Sequence, residues 1–256
     1  MGLFNCQSSG QGRVSGRPDV PDLNYKDELL IEIYSKWIEC TVTHGCTDAE
    51  KLNTDFRTSI ATSILIYKET FNHIFEPLVK NEAIRIFKSS DQKLKIYNWD
   101  KFSFASEREF YTVFQYETES EIKTLFENPM MDSPDLNPNS ERIIELHTVA
   151  TSKGNIYLLI KTEALTPEHI VQKVECVKIE DGNLTRKYPA IETSEGKQGE
   201  ISISFYRNRL NDMLEEADEM KKGYNKIRFD AESKKLILPI IKNNQLTQEH
   251  NQFTVQ

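Results

Sequence analysis

The sequence predicts an α+β fold, with N-terminal helices packed on a largely antiparallel β-sheet or meander and one further helix near 207–222. Two observations carry this prediction. Up to about residue 82 the apolar residues recur every three or four positions, the spacing of a helix face; from residue 83 they alternate, the spacing of a strand face. The links between the alternating segments are short and polar, which suits antiparallel neighbours better than crossovers.

The elements follow in order. Residues 25–44 read as a helix, with Leu29, Leu30, Ile33, Tyr34, Trp37 and Ile38 on one face. Residues 54–80 read as a second, striped by Ile60, Ile64, Tyr67, Phe71, Ile74 or Phe75, and Leu78. Asp55 is its candidate cap, and Pro77 is expected to kink or end it. Four hairpins are expected: 84–87 with 94–99, 143–151 with 156–161, 174–179 with 184–187, and 227–230 with 236–241. The third turns through Asp181-Gly182, a dipeptide suited to two positive φ angles in succession. Further strands are expected at 109–116 and 201–206. Segment 128–140 holds Pro129, Pro134 and Pro138 and reads as a loop. In 207–222, Leu210, Met213, Leu214, Ala217 and Met220 face one way, and Asp212, Glu215, Glu216, Asp218 and Glu219 the other. The domain division is therefore a disordered leader at 1–24, one α+β domain at 25–245 (helical part 25–82, strand-rich part 83–245) and a frayed tail at 246–256.

Composition narrows the function. A net charge of −8, with no basic stripe, argues against nucleic acid as partner. No segment reaches the roughly 20 apolar residues of a membrane span. Phosphate-cradling loops need closely spaced glycines, and Gly196-Lys-Gln-Gly199 does not qualify, so no nucleotide cofactor is expected. No Gly-x-Ser-x-Gly elbow or His-Glu-x-x-His helix is present, and His147 and His169 read as structural. Cys40, His44 and Cys46 offer metal-ligand chemistry at one helix end, but no second cluster completes a set of four, so no metal is expected. Cys40 and Cys46 are a disulfide candidate outside the cytoplasm and free thiols within it. Among the aromatic residues of 97–116, Tyr97, Trp99, Phe102 and Phe104 are the candidate binding face for a glycan or a protein.

Leu3-Phe4-Asn5-Cys6, followed by a polar tether, looks like the end of a bacterial lipoprotein signal, with Cys6 as the lipid-attachment residue. Position 5 departs from the small residue usual there. Residues 84–100, Ile-Arg-Ile-Phe-Lys-Ser-Ser-Asp-Gln-Lys-Leu-Lys-Ile-Tyr-Asn-Trp-Asp, resemble a stretch of uncharacterised secreted or envelope proteins of Bacteroidota-type bacteria. In those, a Ser-x-Asp-Gly turn leads into Leu-Arg-Ile-Tyr-Ser-Trp-Asp. Patches at 154–160, 177–184 and 235–241 follow in the same order, so the resemblance spans about 54–241. It implies an envelope location and this fold rather than an activity. The expectation is a lipid-anchored, non-catalytic binding or accessory module of the cell envelope. The alternatives are an envelope hydrolase acting on glycan or peptide, and a cytoplasmic partner-binding protein using the acidic face of 207–222.

Overall fold

A computed structural model describes residues 22–43, 46–101, 109–127, 140–166, 168–206 and 226–256. It is α+β, with N-terminal helices followed by antiparallel sheets. The leader with Cys6, the prolines of 128–139, Phe102, Phe104 and the expected helix at 207–222 lie outside the described residues.

Helix α1 spans Leu23–Val42 and starts at Asp22, whose carboxylate accepts from the amides of Asn24 and Tyr25 at 3.1 and 3.2 Å. Such a cap contributes about 1 kcal/mol. Helix α2 spans Ala49–Ile66, not 54–80. Asp55 is therefore internal, paired with Lys51 one turn earlier at 2.5 Å, and caps nothing. The expected second helix ends where Tyr67 turns extended, at φ −104° and ψ 105°, and Phe75, at a left-handed φ of 54°, leads into a new short helix, α3, Glu76–Lys80, with Pro77 in its first turn. Proline lacks the amide that a first turn does not use, so it begins this helix instead of ending the previous one.

The first sheet is a four-stranded meander: β1 (Arg85–Lys88), β2 (Leu94–Asp100), β3 (Phe110–Glu117) and β4 (Ile122–Phe126). The second sheet runs through β5 (Arg142–Thr151), β6 (Gly154–Ala164) and β7 (His169–Glu180). The free edge of β7 is shared: β8 (Asn183–Arg186) pairs with one half and β11 (Glu200–Tyr206) with the other. The handover falls at Cys176, whose amide donates to the Gly199 carbonyl and whose carbonyl accepts from the Tyr188 amide. A side chain at 199 would put its Cβ 1.8 Å from the Lys187 carbonyl oxygen, so only glycine fits this crossing. Two smaller sheets complete the chain, β9 (Ile191–Thr193) with β10 (Gly196–Gln198), and β12 (Arg228–Asp230), β13 (Lys235–Lys242) and β14 (Gln245–Thr254). The tail expected to fray is therefore a ten-residue strand, registered on β13 from Lys235↔Thr254 to Lys242↔Gln245.

These elements stack in four layers. On one face of the first sheet Ile84, Tyr97, Trp99, Tyr111 and Val113 meet Leu30, Phe56, Ile60 and Ile64 from the helices. Its other face sets Leu94, Ile96, Phe114 and Tyr116 against Ile143, Tyr157, Leu159 and Val177 of the second sheet. The far side of that sheet sets Ile156, Leu158, Ile160, Val174 and Cys176 against Ala190, Ile191, Leu236, Leu238 and Val255. Both large sheets are thus buried on both faces, and each core side chain contributes about 1.5–3 kcal/mol.

Candidate functional site

A cavity of about 280 Å³ opens at one corner of the first sheet. It exists because β1 starts at Arg85, opposite Asn98, so that the last residues of β2, Trp99 and Asp100, have no β1 partner. The chain arrives there from α3 through Asn81 and Glu82, the latter held at a left-handed φ of 57°. Tyr34 from α1, Phe110 from β3 and Arg142 from β5 complete the wall. Burial draws the Arg85 guanidinium below its ordinary pKa, with the Glu82 carboxylate opposing. The Arg85 guanidinium makes no hydrogen bond or ion pair among the described residues. Trp99 is 2% exposed, and its indole N–H has no hydrogen-bond partner. A buried donor without a partner costs about 1–3 kcal/mol. The Tyr34 phenol is raised by burial, then by the Glu82 and Asp100 carboxylates. This corner therefore sets an unpaired guanidinium beside two carboxylates and one phenol.

A second cleft, of about 340 Å³, borders a buried ionic cluster between the two large sheets. Lys161 of β6 lies 3.2, 2.8 and 2.7 Å from Glu127, Glu141 and Glu175. Arg186 of β8 forks onto both oxygens of Glu175 and reaches Glu127 at 2.6 Å. Lys173 joins Glu141 and Glu163. Burial alone would raise the Glu175 carboxyl; the hydrogen bond and charge of Arg186, together with Lys161, override it and hold it near about 2. Every carboxylate in this cluster meets a cation, and every cation a carboxylate.

Between helices and sheet sits a third polar group. Lys95 donates to the carbonyls of Thr70, at 2.8 Å, and His73. Its amine is pulled down to about 7, by burial first and by Lys88 second, with Asp27 opposing. The His73 ring meets Asp27 at 2.8 Å, and the second Asp27 oxygen is buried without a partner.

Several expected site residues are placed elsewhere than a binding face. Tyr97 and Trp99 are 0% and 2% exposed, so they belong to the core and present no platform. Tyr97 donates to Gln115 and to the Thr70 carbonyl. Cys40 and Cys46 are joined, their Cα atoms 5.4 Å apart, within the range a disulfide spans. Cys176 is buried and its thiol is pushed up to about 12, which leaves it inert. His147 pairs with Glu145 at 2.7 Å. His169 stands 2.5 Å from the Ser204 hydroxyl on the sheet surface, a contact that linear spacing could not show. Arg85 passes in the sequence for an ordinary outward residue of an edge strand. No group of described residues could hold a metal ion.

No protein-family model matches the chain, and comparison with curated proteins and with solved structures finds no relative.

Proposed function

We propose that the protein is a non-catalytic binding module of a bacterial cell envelope, anchored by lipid at Cys6. The corner cavity carries this reading. The Arg85 guanidinium lines it without a hydrogen bond or ion pair among the described residues, whereas each carboxylate around Lys161 meets a cation. A site with unmet hydrogen-bonding capacity gains by taking a ligand; a saturated one does not. The Cys40–Cys46 pair supports an oxidising compartment, and the resemblance of 84–100 to envelope proteins supports the same location. Native mass spectrometry of the protein isolated from its own cells tests the proposal. The expected result is an acyl mass on Cys6 and a small non-covalent adduct that is lost on denaturation. An unacylated N-terminus overturns the anchor, and identical native and denatured masses overturn the binding role.

One observation favours a hydrolase instead, the 2.5 Å contact of His169 Nε2 with Ser204 Oγ. Labelling of Ser204 by a fluorophosphonate, abolished in His169→Ala, would put that reading first.

A further inference from the structure

We propose that the end of the helical layer at which α1 begins docks on the surface of a lipid bilayer, with Tyr25, Leu29, Leu65, Ile66 and Ile74 set into the headgroup region. This rests on the reading of Cys6 as the lipid-attachment residue and names the surface that the anchored domain meets.

The short link bridged by Cys40 and Cys46 makes α1 and α2 antiparallel neighbours, so the first turns of α1 lie beside the last turn of α2 and the segment after it. Two contacts mark this end. Lys26 Nζ stands 4.6 Å from the centre of the Tyr67 ring, and Asp27 meets His73 at 2.8 Å. An exposed apolar residue flanks each partner: Tyr25 beside Lys26, Ile66 beside Tyr67 and Ile74 beside His73, at 63%, 60% and 69% exposure. Leu29, one turn from Tyr25 on the same side of α1, and Leu65, next to Ile66, are exposed too. Single exposed apolar residues are ordinary, but a group of them marks an interaction surface. The path of the chain selects the occupant. From Cys6 to Asp22 is sixteen residues, which span at most about 55 Å when fully extended. The twenty residues of α1 add about 30 Å, so lipid at Cys6 holds this end of the layer nearer the bilayer than the Cys40–Cys46 end. A surface tethered in this way needs little affinity of its own, because the link keeps it at a roughly millimolar effective concentration. Charge does not drive the contact, since Lys26, Lys68 and Lys88 are offset by Asp22, Glu28 and Glu69. The apolar residues do, and Tyr25 brings an apolar body with a polar tip, suited to headgroup depth. Among the described residues no helix is long and apolar enough to cross a membrane, which fits contact with the surface.

Coupling Cys6 to a maleimide phospholipid in phosphatidylcholine vesicles tests the proposal whether or not the cell acylates that residue. Cys40 and Cys46 are joined and Cys176 is buried, which leaves Cys6 for the coupling. Ile74→Trp reports the patch. Leu165→Trp reports a remote exposed position: Asn155 and Tyr157 place the start of β6 at Asp91, close to Lys95 and His73, and Leu165 follows the far end of that eleven-residue strand. Trp37 and Trp99 are buried and give a constant background. On vesicles with brominated chains, the added emission of Ile74→Trp is expected to shift to the blue and fall at least twofold, and that of Leu165→Trp to hold, with protein capped by N-ethylmaleimide as the untethered baseline. Adding Tyr25→Ser and Ile66→Ser should restore most of the lost emission with the melting temperature held, since both side chains are exposed. No quenching of Ile74→Trp, equal quenching at both probes, or quenching only when phosphatidylglycerol is added overturns the proposal. A blue shift that grows with protein concentration in the absence of vesicles overturns it in favour of a second copy on this face. An acyl mass on Cys6 of the native protein beside an unquenched Ile74→Trp would leave the anchor standing and remove the docking alone.

Discussion

Two lysines, Lys161 and Lys95, are buried to nearly the same degree, 1% and 2% exposed, and meet opposite surroundings. Lys161 sits among three carboxylates, so its charge is answered and its pKa is raised despite burial. Lys95 sits among main-chain carbonyls, with Lys88 nearby, and its amine falls to about 7. Burial alone therefore does not set the state of a lysine. The ligands that the fold supplies decide whether the proton stays, and the same substitution should have opposite consequences at the two positions.

The largest effect is expected for Lys161→Met. It removes the cation shared by Glu127, Glu141 and Glu175 and leaves their charges to Arg186 and Lys173. Removing one partner of a buried ion pair costs about 3–5 kcal/mol, so the urea midpoint should fall steeply. A loss under about 1 kcal/mol would mean that the cluster is wetter than its burial implies. The acid limb sharpens the point. Glu175 is held near about 2 in the folded chain against an ordinary 4.5. Its contribution is complete above 4.5 and is lost as pH falls through 2, about 3 kcal/mol in all. Glu175→Gln should flatten that limb of a stability–pH curve.

Lys95→Met should move the other way, a gain of about 1–2 kcal/mol at pH 7, since a buried cation without a counter-ion is replaced by a side chain of similar shape. Tyr97 still donates to the Thr70 carbonyl. The sign with pH is definite. Between about 7 and 10.5 the unfolded chain holds a proton on this amine that the folded chain has released. Stability therefore rises with pH across that window, by about 4–5 kcal/mol, and the variant should lack this rise. A wild-type curve parallel to that of the variant from pH 7 to 10 would refute the assignment.

The sequence shows the fold more readily than the sites, and the stacking explains why. The Asp181-Gly182 turn takes φ angles of 50° and 71°, as its chemistry demands, and β7 and β8 pair across it. Alternation likewise marks β2, β6 and β7. In a two-layer protein the polar half of that alternation would face water. Here both faces of the second sheet are covered, and Lys161 and Glu175, two residues along their strands from Leu159 and Val177 and so on the same face, lie between the sheets at 1% and 0% exposure. Nothing local distinguishes them from solvated residues, and their partners come from positions as far apart as 127 and 186. Arg85 is hidden by the same logic, since the cavity it lines opens where β1 stops short of the end of β2. β14 escapes for a different reason. Its residues are polar and exposed, and pairing with β13 holds it in place of an apolar stripe.

The smallest effect belongs to Lys36→Met, which fixes the scale of the other two. Lys36 and Glu32 approach to 2.5 Å one turn apart on α1, and both side chains are more than half exposed. Water answers either charge as well as the partner does, so the pair contributes about 0.3–0.5 kcal/mol, less in high salt. Lysine and methionine have similar helix propensities, which removes a backbone term from the comparison. The variant should melt within about 0.5 kcal/mol of wild type. A change approaching that of Lys161→Met would show that loss of a lysine charge matters through the net charge of the whole chain. In that case the contrast between carboxylate and carbonyl surroundings would lose its physical basis.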